Sequence, residues 1–238
     1  MPDFPPINFH SHADGESLAT ALATRVAEDL RAAVAAQGGA VLALSGGATP
    51  RRFLQLLAAE ALDWDKVTIT LVDERWVPPD HERSNARLIR ETLLDGTPAA
   101  AAHFLPLYRD TDQPEDALPE LERRFAALPR EFDVIVLGMG TDGHTASFFP
   151  GGDYLASAMD PANTAALLPM RAEGAGEPRI TLTLPMLLAA RHLYLHIEGP
   201  AKRAVLDRAR SGEGEDAALP IRAVMLEAPR PLEVYTTA

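Results

Sequence analysis

The chain has no cysteine, so disulfide cross-links, thiolate metal sites and a cysteine nucleophile are all excluded, and the composition suits a reducing compartment. Cationic excess is also missing. Lys and Arg total 22 against 34 Asp and Glu, a net charge of -12, which argues against a broad footprint for nucleic acid or an anionic membrane while leaving room for a local basic pocket. No apolar run is long enough to span a bilayer. The first 13 residues scatter Pro, Asp and His among isolated apolar side chains and lack the regions of a signal peptide. The expectation is a soluble, unprocessed, cytoplasmic protein. Two tryptophans are too few for a base-stacking platform. His10 and His12 alternate as on a strand or extended tail. His81, His103, His192 and His196 are scattered, with His196 inside a predicted strand. No histidine cluster has metal-ligand spacing, so neither a metal nor an organic cofactor is expected.

With 238 residues and 47% hydrophobic content, the chain can bury one sizeable core, which implies a single α/β domain over 1–238. Leu18, Leu22, Val26, Leu30 and Val34 recur every four positions and mark a long amphipathic helix over 15–37 that ends at Gly38-Gly39. The run 40–44 is short, apolar and bounded by turn residues, as in a strand buried on both faces. Pro50 suits a first helical turn, and Phe53, Leu54, Leu56 and Leu57 continue the helix. Strands at 67–72, 134–137 and 193–197 alternate with helices at 84–94, 118–128 and 200–209, while 99–102, 171–178 and 211–218 read as surface loops. This alternation predicts a Rossmann-like, mostly parallel sheet with helices on both faces.

Ligands of such sheets bind beyond the carboxyl ends of the strands, and three segments there are chemically unusual. In Ser45-Gly46-Gly47-Ala48-Thr49-Pro50, two glycines permit close backbone approach and the following helix start offers free N–H groups to an anion. The spacing matches neither the nucleotide P-loop nor the dinucleotide fingerprint, and an ordinary strand-to-helix turn explains the pattern equally well. Asp73-Glu74-Arg75-Trp76-Val77-Pro78 places two acids and a fixed cation at a strand end, for a phosphate or an oxyanion or simply as a surface ion pair. Gly138-Met139-Gly140-Thr141-Asp142-Gly143-His144 holds a histidine beside a carboxylate that can orient it and raise its basicity, which makes His144 a candidate general base. The plain alternative is a histidine that satisfies its own loop.

Taken in order, these three segments, together with Ser84-Asn85, Thr145-Ala146-Ser147-Phe148-Phe149-Pro150-Gly151, Arg179-Ile180-Thr181-Leu182-Thr183, Gly199-Pro200-Ala201-Lys202 and Leu219-Pro220, resemble the 6-phosphogluconolactonase family over nearly the whole chain. The resemblance implies the fold of glucosamine-6-phosphate deaminase. It also implies hydrolysis of 6-phospho-D-glucono-1,5-lactone, the second step of the oxidative pentose phosphate pathway, by a water that His144 activates. By the same resemblance, Asp142 orients the base and Arg75 steadies the oxyanion. Ser45, Gly46, Gly47, Thr49 and Lys202 hold the phosphate, Arg179 shares one of the two cationic tasks, and Asp73 and Asn85 line the pocket. The expected partner is a small phosphorylated sugar lactone, with no nucleic acid and no membrane, bound by a monomer or weak homo-oligomer. Two rival readings stand. The deaminase family shares the Ser-Gly-Gly and Asp-Gly-His segments but continues to Phe-Asn-Glu-Pro, and here Phe149 stands where its glutamate would be. A non-catalytic sugar-phosphate sensor would keep the cradle without turnover.

Overall fold

In the computed structural model, which describes residues 5–237, the elements follow from local sequence chemistry. Residues 1–4 of the stretch read for a signal peptide, and Ala238 at the end of the 1–238 domain, lie outside the described residues. The edge strand β1 (Ile7–His12) leads into α1 (Gly15–Gln37), which starts where the Asp14 carboxylate accepts the Ser17 N–H at 2.8 Å and the Ser17 hydroxyl faces the Asp14 N–H in return. That reciprocal cap satisfies two of the donors every helix start leaves open. Helix α1 ends at Gly38, whose left-handed φ of 83° turns its N–H onto Val34 O at 2.9 Å, a conformation that costs a glycine little. Leu18, Leu22, Val26 and Leu30 are fully buried, as the four-residue spacing requires.

Strand β2 (Ala40–Leu44) buries every residue, as expected of a central strand covered on both faces. After it come α2 (Arg51–Ala58), β3 (Val67–Leu71), β4 (Asp73–Arg75), α3 (Asn85–Ile89), β5 (His103–Leu105), α4 (Pro114–Phe125) and β6 (Val134–Leu137). The carboxyl-terminal half adds α5 (Leu155–Ala158), β7 (Leu167–Met170), β8 (Arg179–Leu182), α6 (Leu184–Leu188), β9 (His192–Ile197), α7 (Pro200–Ser211), α8 (Pro220–Glu227) and β10 (Leu232–Thr237).

Seven strands form one parallel sheet in the order β1-β10-β9-β6-β2-β3-β5. The chain leaves β2 toward β3 on one side and later places β6 on the other, so the strand order reverses between β2 and β6. Open α/β sheets bind ligands at that position. A second, antiparallel sheet of β4, β8 and β7 springs from the end of β3. Val72 is the joint: its N–H bonds Leu44 O at 2.9 Å in the large sheet, and its carbonyl accepts the Leu182 N–H at 2.9 Å in the small one. The predicted strand over 67–72 is therefore cut at Leu71, because the chain changes sheets there.

Other boundaries also move. The helix predicted over 84–94 is α-helical only through Ile89 and continues as a π-helical turn, Arg90–Leu94. Helix α4 begins at Pro114, four residues ahead of the predicted start, because Pro114 takes the first-turn position where its missing N–H costs nothing. The loops read at 99–102, 171–178 and 211–218 each carry a short 3-10 turn. The buried apolar residues join into one continuous cluster.

Candidate active site

Beyond β2 the chain enters the glycine loop. The Ser45 N–H completes the ladder on Val136 O at 3.0 Å, and the Ser45 hydroxyl accepts the Gly138 N–H at 3.1 Å, which ties the loops after β2 and β6 together. A Cβ on Gly46 would lie 1.8 Å from the Asn85 side-chain oxygen, so only glycine fits. Gly47 adopts a φ of +97°. Among the described residues, the backbone N–H groups of Gly46, Gly47, Ala48 and Thr49 donate to no protein acceptor, and they stand at the amino end of α2, where anions are favoured. Lys202, in the first turn of α7, donates to the Thr49 hydroxyl at 3.1 Å. Burial lowers its pKa, and the Glu198 charge opposes that shift. The glycine loop and a half-buried ammonium thus line the same part of one cleft.

Beyond β6, Gly140 and His144 close a tight loop: the Gly140 N–H donates to His144 O at 2.9 Å and the Gly143 N–H to Gly140 O at 3.1 Å. The imidazole lies against Gly140, where a Cβ would come within 2.3 Å of the ring. Nδ1 of His144 meets the Asp142 carboxylate at 2.5 Å. A carboxylate beside Nδ1 keeps the proton on that nitrogen and leaves Nε2, which has no protein partner among the described residues, as the lone-pair end of the ring. The Phe149 ring packs on the imidazole, with centroids 4.5 Å apart. Ala146, in the same loop, holds a φ of 49°, which is unfavourable for any residue with a Cβ.

The small sheet supplies the cations. Its register sets Arg75 directly opposite Arg179 and Asp73 opposite Thr181. Like charges so placed repel, and burial, reinforced by Arg75, lowers the Arg179 pKa while Asp73 opposes the shift. Arg179, 4% exposed, is held by Ala175 O at 2.6 Å and Glu177 O at 3.3 Å, and its guanidinium carbon lies 5.3 Å from the Phe149 centroid. Arg75 donates to Arg83 O at 2.5 Å, while its Nε has no partner. Asp73 accepts the Ser147 hydroxyl at 2.6 Å, and the Asn85 amide donates to Asp73 O at 2.8 Å.

These groups meet in one cleft of about 360 Å³ lined by Ser45, Gly46, Gly47, Thr49, Asp73, Arg75, Asn85, His144, Arg179 and Lys202. Asp142 does not line it; half exposed, it stands behind His144. Two further titratable residues that the sequence reading gave no role also line the cleft. Arg83 pairs with Glu177 at 2.8 Å. His196, 2% exposed, is bonded through Nε2 to Glu198 at 3.0 Å and lies edge-on to Phe53. The available signal for His196 was its place at the carboxyl end of a central strand.

A family model described as glucosamine-6-phosphate isomerases/6-phosphogluconolactonase matches residues 13–232. A 6-phosphogluconolactonase of Rhizobium meliloti (strain 1021) is 51% identical over 96% of this chain and 97% of its own length, and one of Pseudomonas putida is 43% identical over 96% and 92%. The crystal structure of a 6-phosphogluconolactonase from Shewanella baltica OS155 superposes with a TM-score of 0.91 at 39% identity, covering 98% of both chains. A monomeric glucosamine-6-phosphate deaminase shares the fold, with a TM-score of 0.72 at 17% identity over 96% of this chain and 97% of its own.

Proposed function

The chain belongs to the glucosamine-6-phosphate isomerase/6-phosphogluconolactonase family, and from that premise we propose that it hydrolyses 6-phospho-D-glucono-1,5-lactone to 6-phospho-D-gluconate, the second step of the oxidative pentose phosphate pathway. The observation that carries this reading is that His144, backed by Asp142, lines the same cleft as the glycine loop, Lys202 and two arginines.

The phosphate rests on the loop from Ser45 to Thr49 and on Lys202, where backbone donors and an ammonium together suit a dianion. So anchored, the lactone presents its carbonyl carbon to water held by His144. Nε2 takes a proton as the water oxygen bonds to that carbon. Asp142 stabilises the imidazolium that results. Arg75, with a guanidinium nitrogen still unpartnered, steadies the tetrahedral oxyanion, and the buried Arg179 adds positive potential from behind Phe149. On collapse, the carbon–ring oxygen bond breaks and the imidazolium returns the proton to the departing ring oxygen. The new carboxylic acid then ionises to solvent. Asp73 and Asn85 hold sugar hydroxyls. We place the reaction in the cytoplasm, in a monomer or weak homo-oligomer; Tyr154 is the one large apolar side chain exposed among the described residues, which supports weak self-association at most.

The rival deaminase chemistry needs an acid where Phe149 packs on His144, and a phenyl ring cannot carry a proton. The test is to generate the lactone in situ, subtract its spontaneous hydrolysis, and compare wild type with His144→Ala while following ammonia release from glucosamine 6-phosphate in parallel. Lactone loss accelerated by wild type alone supports the reading. Ammonia release supports the deaminase, and phosphosugar binding without turnover of either substrate supports a sensor.

A further inference from the structure

Glu74 is chemically prominent, yet the proposed reaction leaves it without a task. It lies between Asp73 and Arg75 on β4, is 0% exposed, and is not among the residues that line the cleft. One carboxylate oxygen accepts the Arg75 N–H at 2.8 Å and the Asn85 N–H at 2.7 Å. The other accepts the Ala86 N–H at 2.7 Å and faces the Ser84 hydroxyl at 3.3 Å. Four donors from two segments of chain therefore converge on a single buried acid. An uncharged apolar side chain here would leave three backbone N–H groups without acceptors, and a single N–H donor cannot be satisfied by another donor.

We propose that Glu74 is a positioning residue of the cleft, a clamp that fixes the backbone of Arg75 on β4 to that of Asn85 at the start of α3 and so sets where both side chains stand. The inference rests on the lactonase reading for its kinetic consequences, because Arg75 and Asn85 line the cleft. Three features support it. Asn85 cannot adjust independently, since its amide is already committed to Asp73 O and its oxygen lies against Gly46. Arg75 is limited likewise, with one nitrogen on Arg83 O and Arg179 directly opposite. The carboxylate is also the only group type that accepts from four donors at once; glutamine offers a single oxygen and turns two donors toward the same amides. Burial pushes the Glu74 carboxyl up to about 7, against the lowering effect of the Asn85, Ala86 and Arg75 amides, so the clamp is fully charged only on the alkaline side of neutrality.

The experiment compares Glu74→Gln, Glu74→Asp and Arg75→Ala, singly and as Glu74→Gln/Arg75→Ala, in lactone turnover at pH 8 and in calorimetric binding of 6-phosphogluconate. Expected is a fall in kcat/KM of about 10- to 100-fold for Glu74→Gln, with little further loss when it is added to Arg75→Ala, and partial recovery in Glu74→Asp, which keeps the charge but is one methylene short. Losses that multiply independently in the double variant overturn the proposal, as does a folded Glu74→Gln protein with wild-type kcat and KM and merely a lower Tm. Should Glu74→Gln fail to fold, Glu74→Asp decides: wild-type kinetics there also overturn it. A wild type that turns over no lactone refutes the lactonase reading instead. Glu74 is then judged by phosphogluconate binding and by the amide resonances of Arg75, Asn85 and Ala86 in the wild-type protein, which must titrate together; independent titration refutes the clamp.

Discussion

Gly46→Ala tests how tightly the phosphate loop is built. The added Cβ would lie 1.8 Å from the Asn85 oxygen and 2.2 Å from its side-chain carbon, whereas non-bonded heavy atoms rest about 3.5 Å apart, so the groups must separate by well over 1 Å. Asn85 is 2% exposed and has no free direction: its amide is bonded to Asp73 O and its backbone to Glu74. Displacing it costs about 1–3 kcal/mol for overpacking and a further 1–3 kcal/mol for the polar groups left unpaired. If the loop moves instead, the free amides of Gly46 to Thr49 shift relative to Lys202. We expect Gly46→Ala to lower stability by about 2–6 kcal/mol, in line with those two terms, and to raise KM for the lactone at least tenfold. Urea unfolding and in situ lactone kinetics read the two effects. Asn85→Ala added to Gly46→Ala removes the clash and should restore the overpacking part of the loss, while the Asp73 carbonyl stays without the Asn85 amide. A Gly46→Ala protein with wild-type midpoint and KM would refute the close-approach argument.

Four further outcomes follow from the same geometry. His144→Ala should reduce kcat by about 10²–10⁴, the usual worth of a general base, while 6-phosphogluconate affinity by calorimetry stays within a few fold; unchanged kcat would remove His144 from the mechanism. Lys202→Met should raise KM more than it lowers kcat, and in wild type KM should climb on the alkaline side earlier than an ordinary lysine would dictate, because burial lowers the Lys202 pKa; a flat KM up to pH 10 contradicts this. For Glu74, a folded pKa of about 7 against an ordinary value of 4.5 means the folded state holds the proton longer. That contribution to stability is complete below 4.5, is lost as pH rises through 7, and amounts to about 3 kcal/mol at most; the difference in unfolding free energy between wild type and Glu74→Gln must show this slope. Ala146→Gly should leave the Tm unchanged or raise it, because glycine tolerates the φ of 49°, whereas Ala146→Val should lower it clearly.

The centre of the parallel sheet, β9-β6-β2-β3, was legible because those strands are short apolar runs, and the long helix was legible because it repeats every four residues; the outer strands β1, β10 and β5 carry no such run. The small sheet was not. Strand β4 is three charged residues, Asp73–Arg75, and charge at a strand end reads as loop until a partner is known; that partner, Arg179–Leu182, is more than a hundred residues away. Among candidate site residues, Ser45 to Thr49 and Asp142 to His144 are local patterns and could be read directly. Asn85 and Lys202 entered through family resemblance alone, since their place in the cleft depends on Asp73 O and Thr49, contacts that no spacing reveals. His196 was passed over because it sits within an apolar strand, and its place near the carboxyl end of β9 was the one signal that it could reach the cleft.

The second sheet also explains why the site can concentrate positive charge in a chain of net charge -12. Arg75 and Arg179 face each other across antiparallel strands, an arrangement that opposes folding and persists only where other contacts overdetermine it. Those contacts are present: carbonyls of Ala175, Glu177 and Arg83 accept from the two guanidinium groups, Asp73 lies on the same strand, and Phe149 covers Arg179. The hydrogen-bond acceptors are uncharged backbone, and the nearby carboxylates are Asp73 and Glu177, the latter 4.0 Å from Arg179, so the two cations are solvated largely by backbone and only partly compensated by charge. In the proposed reaction their combined potential acts on the developing oxyanion and the phosphate, and it needs no reorganisation when the charge appears. On that reading, an anionic ligand bound between them relieves part of the repulsion that the two arginines store.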